Sequence, residues 1–372
     1  MKIVYFTNGK INSTAAHAVN IACMCEAFQG LGHEVILVAR VEDPAHFDQA
    51  AYFRSFGIRH RFAVVPVHEG KVPFLRSLRF MLGGMRVVRR IHPDLLFLRQ
   101  MLDFLVVPMF PGSIIIERHA PASPNAMVRW LQGKLYTSPR VVGIVTITQP
   151  LRTLLAGAFE AVAGKIIVCS DGARLQDEGA GVKSALRSGY KVNVGYTGHL
   201  YAGRGVEVIV ALAGRNPQIG FHVIGGNASD VDAWRRRTAH LPNLVFYGHL
   251  PYTVALATAR STDVLLAPYQ DSVAVAGGGN TVAWMSPLKI FEYMAHSKPF
   301  ICSDIPVLRE VLTDGSNCLL VRCDDIDAWD SALHRLLADR DLSSRLVECA
   351  RADLVERYSW DARARKIMGL VD

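Results

Sequence analysis

Twice along the chain, short apolar runs alternate with helical stretches at the spacing of strand–helix–strand units. Few folds accommodate that pattern. Residues 2–6 read as a buried strand, 7–15 as a polar loop, and a helix runs from about His17 to Gln29, where Gly30 and Gly32 end it. Apolar runs at 35–38, 95–98, 114–116, 141–147 and 166–168 continue the series. Continuous apolar strands separated by helices belong to parallel sheets covered on both faces. The chain turns polar and glycine-rich over 174–191, and the pattern then restarts with strands at 192–196, 221–224, 244–246, 264–267, 300–302 and 319–321. At 372 residues the chain also exceeds what one core usually supports. The expected fold class is therefore α/β, with two Rossmann-like doubly wound domains at 1–173 and 192–350 and a linker at 174–191. Two such domains leave a cleft lined by the carboxyl ends of both sheets, where ligands usually bind.

Composition narrows the function. Half the residues are hydrophobic and a fifth are charged, as in a globular protein. The apolar start, Met1 to Phe6, meets Asn8-Gly9 too soon for a signal peptide, and no run offers the ~20 apolar residues of a spanning helix. A cytoplasmic chain, peripheral on a membrane at most, is expected. The seven cysteines (Cys23, Cys25, Cys169, Cys302, Cys318, Cys323 and Cys349) are scattered, with no pair at zinc-knuckle or redox spacing, so they read as free thiols. A net charge of +8 suits an acidic partner, but the aromatics are not interleaved with the basic residues, and nucleic acid is not expected. Neither half carries Gly-x-Gly-x-x-Gly after a strand, since Gly195-x-x-Gly198 and Gly203-Arg204-Gly205 have the wrong spacing; this argues against a dinucleotide enzyme.

The most informative stretch is 286–295, Ser-Pro-Leu-Lys-Ile-Phe-Glu-Tyr-Met-Ala. Ser286 suits a helix N-cap and Pro287 the first helical position. Lys289 then puts a cation in the first turn, against the positive end of the helix dipole. Either an anion sits at the helix mouth, or Lys289 pairs with Glu292 for about 0.2–0.5 kcal/mol. A second helix start follows the glycine-rich loop 198–205, where Arg204 presents a fork of donors suited to phosphate. Two cations and two dipole ends aimed at one cleft suggest a diphosphate.

These segments, with Asn243 to Gly248, Thr262 to Pro268, Lys298 to Asp304 and Leu308 to Val311, resemble family 4 (group 1) glycosyltransferases, which are retaining, nucleotide-sugar-dependent enzymes of the GT-B fold. The resemblance is dense from Val192 to Leu320 and weaker before it. It implies a C-terminal helix, here 351–372 with Tyr358-Ser359-Trp360, that packs back on the N-terminal, acceptor-binding domain. It also implies a nucleotide-sugar donor, a sugar or lipid-linked acceptor, no metal or other cofactor, and work in cell-surface polysaccharide, lipopolysaccharide or other glycoconjugate synthesis. Carried over, Arg204 and Lys289 face the donor diphosphate with the backbone at Pro287 and Leu288, and Glu292 binds the ribose. The 248–250 loop with His249 and Leu250 meets the nucleobase, and Gly198, His199, Gly225 and Ser286 complete the donor site. His119 lies near the transferred sugar, while Asn12, Ser13 and His17 form a sugar or acceptor loop. Asp171-Gly172 matches the end of the first domain. Three positions depart from the family: Trp284 replaces an acid, His199 an arginine, and Asn12-Ser13 a glycine pair. A nucleotide-sugar epimerase and a non-catalytic nucleotide-sugar-binding partner are the alternatives.

Residues 71–91 carry Lys71, Arg76, Arg79, Arg86, Arg89 and Arg90 with no acid between them. At 100° per residue Phe74, Leu75, Leu78, Leu82 and Met85 form an apolar stripe beside the arginines, with Phe80 and Val87 on the far edge. The pattern fits a helix lying on an anionic membrane surface, or a packed helix with a solvated basic face; Gly83-Gly84 weakens either. The loop 272–283, with Gly277-Gly278-Gly279, reads as a flap over the donor.

Overall fold

Apolar strands with helices on both faces dictate two parallel sheets, and the computed structural model contains two. It describes every residue except 14, 42, 69–75, 100–102, 176–180, 275–278 and 372, and of 103 and 104 only the backbone. Lys71, Phe74 and Leu75 of the basic stretch, and Gly277 and Gly278 of the expected flap, lie outside the described residues. The chain divides into two units, Met1–Asp171 with Trp360–Asp372, and Gly172–Ser359.

Unit 1 holds strands β1 (Lys2–Lys10), β2 (Glu34–Val41), β3 (Ala63–His68), β4 (Leu95–Arg99), β5 (Ser113–Arg118), β6 (Val141–Thr146) and β7 (Ile166–Val168). Its helices are α1 (Ala16–Gly30), α2 (Gln49–Phe56), α3 (Arg76–Ile91), α4 (Asp103–Val106), α5 (Ala126–Tyr136) and α6 (Gln149–Ala158). Unit 2 holds β8 (Asn193–Thr197), β9 (Gly220–Ile224), β10 (Leu244–Gly248), β11 (Val264–Ala267), β12 (Phe300–Ser303) and β13 (Leu319–Val321). Its helices are α7 (Val206–Arg215), α8 (Ala228–Arg237), α9 (Tyr252–Arg260), α10 (Leu288–Ala295), α11 (Ile326–Ala338) and α12 (Arg340–Asp353). The last helix, α13 (Trp360–Met368), belongs to unit 1. Strand orders are β3-β2-β1-β4-β5-β6-β7 and β10-β9-β8-β11-β12-β13, with parallel pairing in both sheets.

Two boundaries differ from expectation. Residues 172–191 group with unit 2 instead of standing apart, and the C-terminal division falls after Ser359 instead of at 350. The physical reason for the second is that Tyr358 stays in unit 2: its ring packs 5.4 Å from that of Phe291, and its carbonyl accepts from Ala173 N at 3.1 Å. Strand β3 was not legible because Pro66 breaks its run. It is an edge strand, the one place in a sheet where proline costs little.

Helix α3 corrects the expected apolar stripe. Phe80, Met81, Gly84, Met85 and Val88 are buried, and α3 packs over β1, β2 and β3, so Met85 and Phe80 serve the core. Arg79, Arg86, Arg89 and Arg90 are exposed, with Leu78 beside them at 40%. Arg89 and Arg90 also fall in the last turn, where the helix dipole favours cations. The glycine pair has a packing purpose: a Cβ on Gly84 would stand 2.4 Å from Cζ of Phe6, whose ring lies 5.5 Å from that of Phe80. Gly84→Ala therefore sets about 1 kcal/mol of gained helix propensity against an overpacking cost of about 1–3 kcal/mol. Urea unfolding should show net destabilisation, and a more stable variant would contradict the packing.

Candidate functional site

In unit 2 the strand order reverses between β8 and β11, which opens a crevice outside their carboxyl ends. The loop 198–205 leaves β8 there and the loop 268–287 leaves β11. They lie backbone against backbone, because Gln270 N donates to Gly203 O at 2.9 Å and Ala274 N to Ala202 O at 3.1 Å. Only glycine allows this approach. Gly203 and Gly205 have φ of +81° and +79°, and a Cβ on either would come within 1.7 Å of a carbonyl oxygen of the other loop. Gly198, Gly225 and Gly248 join the loops after β8, β9 and β10 in the same way, through Gly198 N to Ile224 O and Gly225 N to Gly248 O, both 2.9 Å.

Helix α10 enters this crevice, one residue later than expected. Pro287 is extended, with ψ of 122°, and occupies the cap position without a side-chain cap, so Ser286 lies just outside the helix. Lys289 in the first turn is buried, and its Nζ has no hydrogen-bond partner. The ammonium sits 3.7 Å from the ring centroid of Tyr196 and 4.9 Å from that of Tyr269. Arg204 also approaches Tyr269, its Cζ 5.6 Å from the ring centroid, and its Nε likewise lacks a partner. Burial first, and the Arg204 charge second, push Lys289 well below the ordinary lysine pKa. Cation–π contacts return about 0.5–2 kcal/mol, less than desolvation removes. Gly198 clears the space: a Cβ there would fall 3.0 Å from Nζ.

The pairing of Lys289 with Glu292 is not what the structure shows. Glu292 accepts instead from Tyr252 OH at 2.9 Å, and burial raises its carboxyl. His199 stacks on Tyr201 at 4.8 Å, and burial, Arg204 and Lys289 all lower its pKa below 6.5, so it stands neutral where the resemblance has an arginine. His249 is exposed and Leu250 half-buried beside the core. Trp284 N donates to Thr281 O in the turn that leads to α10.

Unit 1 gathers a different set. His17 contacts Ser13 Oγ and Lys10 O, both at 3.2 Å, which ties down the loop after β1, while Asn12 is exposed. Burial, then Arg99, lower the His17 pKa, and His119 adds to the effect. His119, just past β5, turns Nε2 to within 3.4 Å of Glu117 Oε1. Glu117 is buried and also takes Arg363 at 2.6 Å, Arg99 Nε at 3.0 Å and Tyr5 OH at 3.1 Å. Burial would raise its carboxyl, but Arg363, His119 and Arg99 together hold it well below the usual carboxylate range. Asp171 Oδ1 accepts from Asn20 at 2.6 Å.

Residues 191–339, the segment that builds the crevice, match the family model for glycosyl transferases group 1. This segment is a glycosyl transferases group 1 domain. A phosphatidyl-myo-inositol mannosyltransferase of Mycolicibacterium smegmatis is 25% identical over 95% of this chain and 88% of its own length. Among solved structures, a sucrose-phosphate synthase from Thermosynechococcus elongatus has a TM-score of 0.71 at 16% identity, covering 100% of this chain and 98% of the other. Anabaena Alr3699/HepE, solved in complex with UDP-glucose, also scores 0.71, at 12% identity with 100% and 99% covered. The two sheets of this glycosyltransferase are those of the GT-B fold.

Sequence reasoning missed Arg99, Glu117 and Arg363 in this enzyme. A signal existed: Arg99 and Glu117 are charges placed directly after the apolar runs of β4 and β5, at strand ends that face a ligand crevice in such sheets. Arg363, 246 residues from its partner, gave none.

A buried cation without a counter-charge costs the folded enzyme stability. Lys289→Met should raise the stability of the unliganded glycosyltransferase by about 1–2 kcal/mol. Because the folded lysine holds its proton less tightly than the unfolded one, the wild-type chain should gain stability as pH rises between the depressed pKa and the ordinary 10.5. The variant should lose that slope. Thermal unfolding of both proteins across that range checks it, and a destabilised Lys289→Met protein would contradict the account.

Proposed function

We propose that this glycosyltransferase moves a sugar from a nucleotide-sugar donor to an acceptor hydroxyl with retention of the anomeric configuration, and that the donor diphosphate binds in the crevice between β8 and β11. The observation that carries this is the Lys289 ammonium, buried without a hydrogen-bond partner beside Arg204 and at the start of α10. A diphosphate supplies the missing counter-charge to both cations and to the free N–H groups of the helix end. The HepE relative, solved with UDP-glucose, supports the class of donor. Relatives named as phosphatidyl-myo-inositol mannosyltransferase and D-inositol 3-phosphate glycosyltransferase support glycoconjugate synthesis on a polyol or lipid-linked acceptor.

In this mechanism the bond between the sugar's anomeric carbon and the diphosphate oxygen breaks as negative charge grows on the leaving group. Lys289, already buried, and Arg204, half-buried beside it, meet that charge with groups held in place by the fold, so the stabilisation needs little reorganisation. The same two cations do what a resident metal would otherwise do. The acceptor hydroxyl attacks from the face the diphosphate leaves, and its proton passes to the departing phosphate oxygen. Glu292, steadied by Tyr252, binds the ribose hydroxyls, and His119 lies beside the transferred sugar.

Nucleotide release from a panel of nucleotide sugars, with and without acceptor, tests the reading. Release that depends on acceptor supports transfer. Sugar epimerisation, or donor binding with no turnover, would support the two alternatives. Lys289→Ala should lower kcat by about 10²–10³-fold. Glu292→Ala should weaken donor affinity, and full affinity would refute its assignment. Since a bound diphosphate favours the charged form of Lys289, donor binding should take up a proton at pH values above its depressed pKa and weaken as pH rises there. Calorimetry in buffers of different ionisation enthalpy reads this directly; binding without proton uptake would count against the Lys289 assignment.

A second surface completes the proposal. Among the described residues no helix is long and apolar enough to cross a membrane. The outward face of α3 nevertheless carries Arg79, Arg86, Arg89 and Arg90 with no acid on the helix, and each cation near an anionic surface is worth about 1 kcal/mol. This face docks the enzyme peripherally on anionic lipid at the inner side of the cell membrane, where a lipid-linked acceptor would lie. Flotation with anionic vesicles should show binding that is lost when Arg79, Arg86 and Arg90 become Glu. Unchanged flotation would remove this part of the proposal.

A further inference from the structure

Glu117 stands at the carboxyl end of β5, two residues before His119, and no water-facing reason explains it: its side chain has no exposed surface. A buried carboxylate survives only with partners, and it has four. Arg363 holds Oε1 at 2.6 Å, Arg99 approaches Oε2 at 3.0 Å, Tyr5 OH donates to Oε2 at 3.1 Å, and His119 Nε2 stands 3.4 Å from Oε1. Arg99 comes from β4, Tyr5 from β1 and Arg363 from α13, so three other elements converge on one carboxylate. Arg363 Nε also donates to Ser170 O at 2.9 Å, which fixes the guanidinium from a second side.

Two arginines around one carboxylate keep it ionised, and burial limits exchange with water. An ionised carboxylate accepts hydrogen bonds and cannot donate. The imidazole nitrogen facing it must therefore carry the proton, which leaves Nδ1 as the unprotonated nitrogen of the neutral ring. At 3.4 Å the two groups are an ion-pair contact and Nε2 makes no hydrogen bond in the free protein; catalytic contacts often tighten only when a reactant is in place.

We propose that Glu117, clamped by Arg99 and by Arg363 of the C-terminal helix, is the positioning residue that fixes the His119 ring as its Nε2–H tautomer and so presents Nδ1 as an acceptor to a hydroxyl of the sugar or acceptor. This rests on the placement of His119 beside the transferred sugar under the proposed function. It adds the tautomer, the nitrogen that acts, and the reason α13 belongs to unit 1: the last helix supplies a side chain that holds the carboxylate behind His119.

Long-range ¹H–¹⁵N spectra of the full wild-type chain, with the His119 signal assigned by difference against His119→Gln, read the tautomer directly. Nε2–H is expected, and Nδ1–H would overturn the proposal. In steady-state assays Glu117→Gln should lower kcat about a hundredfold while the donor KM stays within about twofold, because donor contacts lie in unit 2. Wild-type kcat in that variant would also overturn it. The two layers fail separately. A fully active His119→Ala protein would sink the placement of His119 itself, whereas an inactive one with an Nδ1–H wild-type ring would sink only the part assigned to Glu117.

Discussion

A lysine ammonium sealed from water with no carboxylate beside it is the interaction on which the rest of unit 2 depends. Lys289 could not stay buried if the crevice were simply part of the core, since burial alone drives the amine toward neutrality. Everything around it makes room for the charge instead of cancelling it. Tyr196 and Tyr269 offer ring faces, Gly198 withholds a side chain, and Arg204 adds a second cation where a stabilising design would place an acid. Two like charges gathered at a helix start, on a sheet whose strand order reverses at that point, are the arrangement an anion would satisfy, and unfilled they cost the free protein stability.

Unit 1 solves the opposite electrostatic problem. Its buried charge is a carboxylate, and the two arginines around Glu117 more than balance it, with His119 at the edge of the cluster. Replacing one member of such a group leaves another buried and unpaired, at about 3–5 kcal/mol. The chain spends its last helix on this arrangement. Trp360 and Arg363 are both buried in unit 1, although the residues just before them belong to unit 2.

Both sheets were legible because parallel strands buried on two faces write themselves as apolar runs, as Ile114 to Ile116 and Leu265 to Leu266 do. The glycine loop and Arg204 were legible for the same local reason, since they sit between a strand and a helix. Strand β3 was hidden by Pro66, and the start of α10 was read one residue early because Ser-Pro is a strong local signal that the backbone at Pro287 overrides. On α3 the periodicity was right and the facing was not: Met85 and Phe80 look toward β1, β2 and β3, which no single-helix pattern can specify. What remained out of reach was long-range pairing. Whether Lys289 meets Glu292 or two tyrosine rings depends on residues 93 and 20 positions away in sequence, and the Glu117 cluster joins four elements that only the folded sheet brings together.

The central claim is that the unmatched cations at the β8/β11 crevice await a diphosphate. The most direct test is a crystal structure of the full chain with a bound nucleoside diphosphate. The account predicts phosphate oxygens within hydrogen-bond distance of Lys289 Nζ and the Arg204 guanidinium, above the start of α10. A nucleotide bound elsewhere, with Lys289 still facing only Tyr196 and Tyr269, would contradict it.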